Sequence, residues 1–90
     1  MANYFKAVLT FNNENLGKAV NVYYMEDSLG ISSDTAIRFQ MNAYLEAIYA
    51  PLQTHMSEGI TLMDCPIYEV DGTGATIRSL GTIAPDVEGG

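Results

Sequence analysis

Two side chains in this sequence are of the types that most often supply a general base and a nucleophile, His55 and Cys65. His55 falls three residues after Leu52 in a helical pattern, near the C-terminal end, where the helix dipole favours a cation. No Ser or Cys stands at a spacing that would make a dyad with it, so the expectation is a half-exposed helix histidine. Cys65 follows Asp64 and precedes Pro66, with Glu69 a little further on. A reactive thiolate needs electropositive surroundings, and these acids act the other way, so a buried, inert thiol is expected. As the single cysteine it forms no intramolecular disulfide and holds no metal without help from His or carboxylate.

The acids Glu26-Asp27, and Asp64 with Glu69 and Asp71, lack the alternating carboxylates closed by a glutamate that make a calcium loop. Asp71-Gly72-Thr73-Gly74 contains a Gly-x-Gly, but it lies between two strand patterns, whereas phosphate-binding glycine loops precede a helix. It reads as a hairpin turn. No catalytic, cofactor-binding or metal-binding residue is therefore expected, and the chain is expected not to be an enzyme. Binding by contact area is the remaining chemistry. Of six tyrosines, Tyr4, Tyr23 and Tyr49 fall off the faces assigned to the core and are the preferred contact residues; tyrosine gives large contact area at small entropic cost.

Those side chains need elements to hold them. Residues 3–11 alternate, with Phe5, Ala7, Leu9 and Phe11 pointing one way and Tyr4, Lys6, Val8 and Thr10 the other, which predicts a strand. Residues 12–17 read as a turn rich in Asn and Gly, and residues 18–26 alternate again, with Val20, Val22 and Tyr24 opposite Asn21 and Tyr23. Ser32, Ser33 and Asp34 then offer an N-cap. Ile37, Met41, Tyr44, Leu45, Ile48, Leu52 and Met56 form one apolar stripe, predicting a helix from 34 to about 57, kinked by Pro51 or made of two helices that meet at Ala50, with Gly59 as its stop. Residues 60–70 look extended, and Pro66 puts that strand at an edge or on a bulge. A last strand spans 75–83, with Gly81 allowing a bend. The predicted fold is α+β, in the order β-β-α-β-β: an antiparallel sheet with one long Pro-kinked helix packed on one face. Residues 1–83 form a single domain, and 84–90 a flexible, acidic, Gly-ended tail.

Composition bounds the partners. Ninety residues make one domain with a modest core. Only 17% of them are charged, against about 25% in typical soluble domains, which fits either surface covered by a partner or a small protein rich in Ser, Thr and Asn. The formal net charge is −7, and the four bases, Lys6, Lys18, Arg38 and Arg78, are scattered. Phosphate binding needs clustered cations, so neither nucleic acid nor an anionic membrane is an expected partner. No apolar run approaches a membrane span, and Met1-Ala2-Asn3-Tyr4 does not read as a signal peptide, so the expected setting is the cytosol or a particle assembled there.

The ordered features resemble a family of small virion structural proteins of tailed bacteriophages. The likeness rests on the opening strand Asn3-Tyr4-Phe5-Lys6-Ala7-Val8-Leu9-Thr10, the second strand Ala19-Val20-Asn21-Val22-Tyr23-Tyr24 and the helix from Ala36 to Met56. It continues through Ile67-Tyr68-Glu69-Val70-Asp71-Gly72 and Gly81-Thr82-Ile83-Ala84-Pro85-Asp86. Family members continue into a more basic second half, so the likeness is to their N-terminal half. The resemblance implies a structural role in the virion, such as capsid decoration or cement or another head or tail component. Its partners would be other virion proteins or copies of itself in a homo-oligomer. Two other readings stand beside it. Gly89-Gly90 matches the end at which ubiquitin-like carrier proteins are adenylated, and a small-molecule-binding module could use the groove between helix and sheet.

Overall fold

A computed structural model describes residues 4–26, 33–56 and 58–88. The chain opens with a hairpin of β1 (Tyr4–Asn13) and β2 (Gly17–Glu26). Asn13 closes it: its side-chain oxygen accepts hydrogen bonds from the N–H groups of Asn15 at 2.9 Å and Leu16 at 3.1 Å. Gly17 follows at φ 87°, a left-handed conformation that glycine adopts without steric cost. The register then runs unbroken, from Asn13 opposite Gly17 to Tyr4 opposite Glu26. Opposed residues in an antiparallel pair share a face. Met25, Tyr23, Asn21 and Ala19 therefore lie on the inner face, opposite Phe5, Ala7, Leu9 and Phe11. The face of Val20, Val22 and Tyr24 points away from the core.

Helix α1 (Asp34–Tyr49) starts where Ser33 accepts the N–H of Ala36 on its hydroxyl at 3.4 Å, with Asp34 adding negative charge at the positive dipole end. Its buried residues, Ile37, Met41, Leu45 and Tyr49, recur every fourth position. The long Pro-kinked helix is corrected here, because α1 ends at Tyr49. Pro51 has no N–H to continue the ladder. The chain instead tightens into turns closed by Leu52 N–H to the Tyr49 carbonyl and His55 N–H to the Leu52 carbonyl, with a 3-10 turn at Gln53–His55. Gly59, expected as the helix stop, lies in the turn before the next strand, at φ 83°.

The extended segment after it divides at Cys65 into β3 (Thr61–Asp64) and β4 (Pro66–Val70), and both pieces pair with β1. β5 (Thr76–Thr82) completes an antiparallel five-stranded sheet in the order β2-β1-β4-β5, with β3 beside β1. The expected single strand at 60–70 is thus two, and its register against β1 shifts within β3, between Leu62 and Asp64. Pro66 is the first residue of β4 and pairs with Thr82, while the ladder to β1 begins at Ile67. β5 shifts register twice against β4. Gly81, at φ 90°, makes one bend and seats Leu80 in the core.

The core lies between the inner face and α1, built from Phe5, Ala7, Leu9, Ile67 and Leu80 against Ile37, Met41 and Leu45. Residues 84–88 do not hang free as expected. Val87 is fully buried and Pro85 is buried beside it in sequence. The Asp86 N–H donates to the Glu46 carboxylate at 2.8 Å, and its carbonyl accepts from Gln53 Nε2 at 2.6 Å. Burying one valine stabilises by about 1.5–3 kcal/mol, enough to hold a short strap whose backbone groups are also satisfied. The Val87→Ala variant should lose roughly 1.5–3 kcal/mol in urea unfolding, whereas a residue in a free tail would lose nothing measurable.

Candidate functional site

The residues with reactive side chains are held apart or used up structurally. Cys65 is fully buried, and desolvation, reinforced by Asp64, pushes its thiol up to about 11. His55 is exposed in the turn after α1. Asp71 spends its carboxylate on its own turn, accepting from the Thr73 N–H at 2.8 Å, the Thr73 hydroxyl at 2.6 Å and the Ala75 N–H at 3.1 Å. These bonds hold its carboxyl below the usual range, the Thr73 hydroxyl contributing most. Arg78 joins Glu69 and Asp34, each at 2.8 Å, which ties β5 and β4 to the first turn of α1. Among the described residues no group of three or more His, Cys, Asp or Glu is placed to hold a metal ion.

Side chains fill the groove between α1 and the sheet. The concavities lie elsewhere. One of about 520 Å³, polar in its lining, sits at the hairpin turn between Asn12–Asn15 and Glu58–Gly59. Another of about 300 Å³ lies between Tyr4, Tyr24, Val70 and the turn at 71–74.

The three tyrosines expected as contacts separate. Tyr49 is corrected outright: it is 4% exposed, in the core, with its ring 5.7 Å from Phe11 and 5.9 Å from Tyr23. It stands four residues after Leu45 on the buried ridge, which the predicted stripe left out; Tyr44, counted in the stripe, is exposed, while Ile48 packs against the core as the stripe had it. Asn21 on β2 donates its amide to the Tyr49 hydroxyl at 3.0 Å. Burial first, and then the neighbouring Tyr23 hydroxyl, push the Tyr49 phenol up to about 12. Tyr23 is corrected too: it lies on the inner face, packed edge-on against Tyr49. Tyr4 alone of the three shares the outer face, opposite Glu26.

What the sequence reading passed over is the outer face of β2. Val20 is 59% exposed, Val22 44% and Tyr24 52%. Across β1 they face Thr10, Val8 and Lys6, and beyond Lys6 stands Tyr68 of β4. The signal was present in the charges. Lys18 and Glu26 share the parity of Val20, Val22 and Tyr24, and charged residues at both ends of a strand face mark it as the wet one. Contiguous apolar surface rimmed by polar residues is the usual mark of a protein–protein contact. No protein-family model, curated protein or solved structure matches this chain.

Tyr49→Phe should leave the fold intact and lower stability by about 1 kcal/mol, because Asn21 loses its partner while the ring packing is kept. The wild type should show one tyrosine ionising near pH 12 in ultraviolet titration, and this step should vanish in the variant. A phenol held neutral in the folded state ionises first in the unfolded chain. Its contribution to stability is therefore complete below pH 10 and fades as pH rises from the ordinary value of 10.0 to about 12. Cys65 should stay unreactive toward a thiol reagent at pH 8 until the chain is unfolded.

Proposed function

We propose that this chain is a structural component of a bacteriophage virion, a capsid decoration or cement protein or another head or tail part, acting through protein–protein contacts and without catalysis. The observation that supports this best is the outer sheet face, which none of the described residues covers and where Val20, Val22 and Tyr24 stand about half exposed on a regular strand. Exposing such a face costs solubility, and a domain with so small a core gains nothing from it in isolation. The resemblance to small virion proteins agrees with a contact role, as does the low share of charged residues. The scattered bases support partners that are proteins, either other virion components or further copies of the chain, over nucleic acid or membrane. Assembly would take place in the host cytoplasm.

The carrier-protein reading depends on Gly89 and Gly90, which lie outside the described residues. The small-molecule reading depended on a groove between helix and sheet, and packed side chains occupy that space.

Antibodies raised against the chain should label particles purified from the phage that encodes it, in immunogold electron microscopy. Particles grown with the Val20→Lys and Tyr24→Lys double variant should carry much less of the chain than wild-type particles, at equal expression of folded protein. Absence of the wild-type chain from purified particles would overturn the proposal.

A further inference from the structure

The edge of the sheet formed by β2 is self-complementary, and we propose that two copies of the chain pair antiparallel along it, with Val22 facing Val22 of the partner subunit across a two-fold axis. This rests on the reading of the chain as an assembling protein and names its first partner.

Three observations carry it. The first is an open edge. Among the described residues β2 pairs only with β1 and ends the strand order, and its ten residues run without a bulge or a proline. On the edge away from β1, no described strand takes up its row of N–H and C=O groups, which is what a further strand would need. The opposite edge strand, β5, is shorter and shifts register twice, so it offers no comparable ladder.

The second is the order of side chains along β2. The outer face reads Lys18, Val20, Val22, Tyr24, Glu26, and all five are exposed. Reversed and laid against itself about Val22, it places Lys18 against the partner's Glu26 and Val20 against the partner's Tyr24, and each pair occurs twice. The inner face, centred alike, puts Ala19 against the partner's Met25 and Asn21 against the partner's Tyr23. Opposite charges and aliphatic–aromatic pairs are the favourable cross-strand neighbours. Neither Lys18 nor Glu26 has an ion-pair partner among the described residues.

The third is parity. Backbone groups along an edge strand point outward at every second residue. Every facing pair in this register joins two even or two odd positions, so outward groups meet outward groups and a continuous ladder forms. Slipping one residue would break this match and set the outer face of one copy beside the inner, core-side face of the other. A two-fold axis perpendicular to the sheet also keeps the two helices on one side, so the two outer faces join into one surface and stay free for the virion contact. The net charge of −7 on each copy opposes association, but at 0.1 M salt the Debye length is about 10 Å, so repulsion between charges farther apart is screened while the facing Lys18 and Glu26 still attract.

The test uses the full chain at 0.15 M salt. Light scattering after size exclusion should give a dimer that dissociates on dilution. Lys18→Glu and Glu26→Lys should each weaken the dimer by about tenfold or more, since each sets like charges together at two places. The double swap should restore it. Under mild oxidation Val22→Cys should crosslink as a covalent dimer. Val20→Cys should not, because its two copies would lie about 14 Å apart along the strands, four residues at about 3.4 Å each. A monomer at every concentration, charge variants without effect, a double swap as weak as the singles, or crosslinking through residue 20 instead of 22 would each overturn the pairing. A chain that is monomeric yet incorporated into particles would sink this inference alone. A β2-paired dimer absent from particles would sink the virion reading alone.

Discussion

Asn13 turns its side-chain oxygen onto the N–H groups of Asn15 and Leu16 and gives its amide to the carbonyl of Glu58, and the facing of the whole sheet follows from that one residue. The turn it closes is three residues long, and Gly17 re-enters the ladder directly opposite Asn13. An odd number of turn residues between paired ends joins odd positions to odd positions. Phe5, Ala7, Leu9 and Phe11 must be inside, because no other β1 face is apolar throughout. Tyr23 and Met25 are then carried inward with them, and Val20, Val22 and Tyr24 are left outside. The inward tyrosine finds Tyr49, and the outward residues make the open face.

The helix side is closed by a different economy. α1 is about 24 Å long at 1.5 Å per residue, and ten-residue strands run about 34 Å, so one helix cannot cover the hairpin from end to end. The strap at 84–88 adds Val87 to the core and takes Glu46 as its backbone partner, while Gln53, past the broken end of the helix, fixes its other side. At the far end Arg78 links Asp34 and Glu69, so each end of α1 is anchored by a polar contact to a later part of the chain. The two arginines serve the helix side, where Arg38 also reaches the Leu80 carbonyl, and the two lysines stand on the outer face.

Much of this was legible in the residues. The alternation of β1, the Ser33 cap, the buried ridge through Ile37, Met41 and Leu45, the turn at Asp71 and the bend at Gly81 all follow from local chemistry. What failed was wherever two elements had to agree. The facing of β2 depends on the exact length of a turn, which a stretch such as Asn12-Asn13-Glu14-Asn15-Leu16-Gly17 leaves open by one or two residues. Tyr44 and Tyr49 exchanged places because a helix stripe drawn at mixed spacings of three and four can drift off the ridge that meets the sheet. The strap was missed because acid and glycine around Val87 read as solvated chain, and only the folded core shows the slot that one valine fills.

The hydroxyl of Tyr49 holds the amide of Asn21, and its ring meets that of Tyr23. The last turn of the helix thereby grips the outermost strand at mid-length. A pull on that strand along its axis would load the ten-residue ladder to β1 in shear, all its bonds sharing the force, and would pass part of it through Tyr49 into the hydrophobic interior. Peeling from an end would meet the same fastening halfway along. The strand is thus mechanically braced at its centre, so a lattice held together through it could transmit tension between subunits without unravelling them.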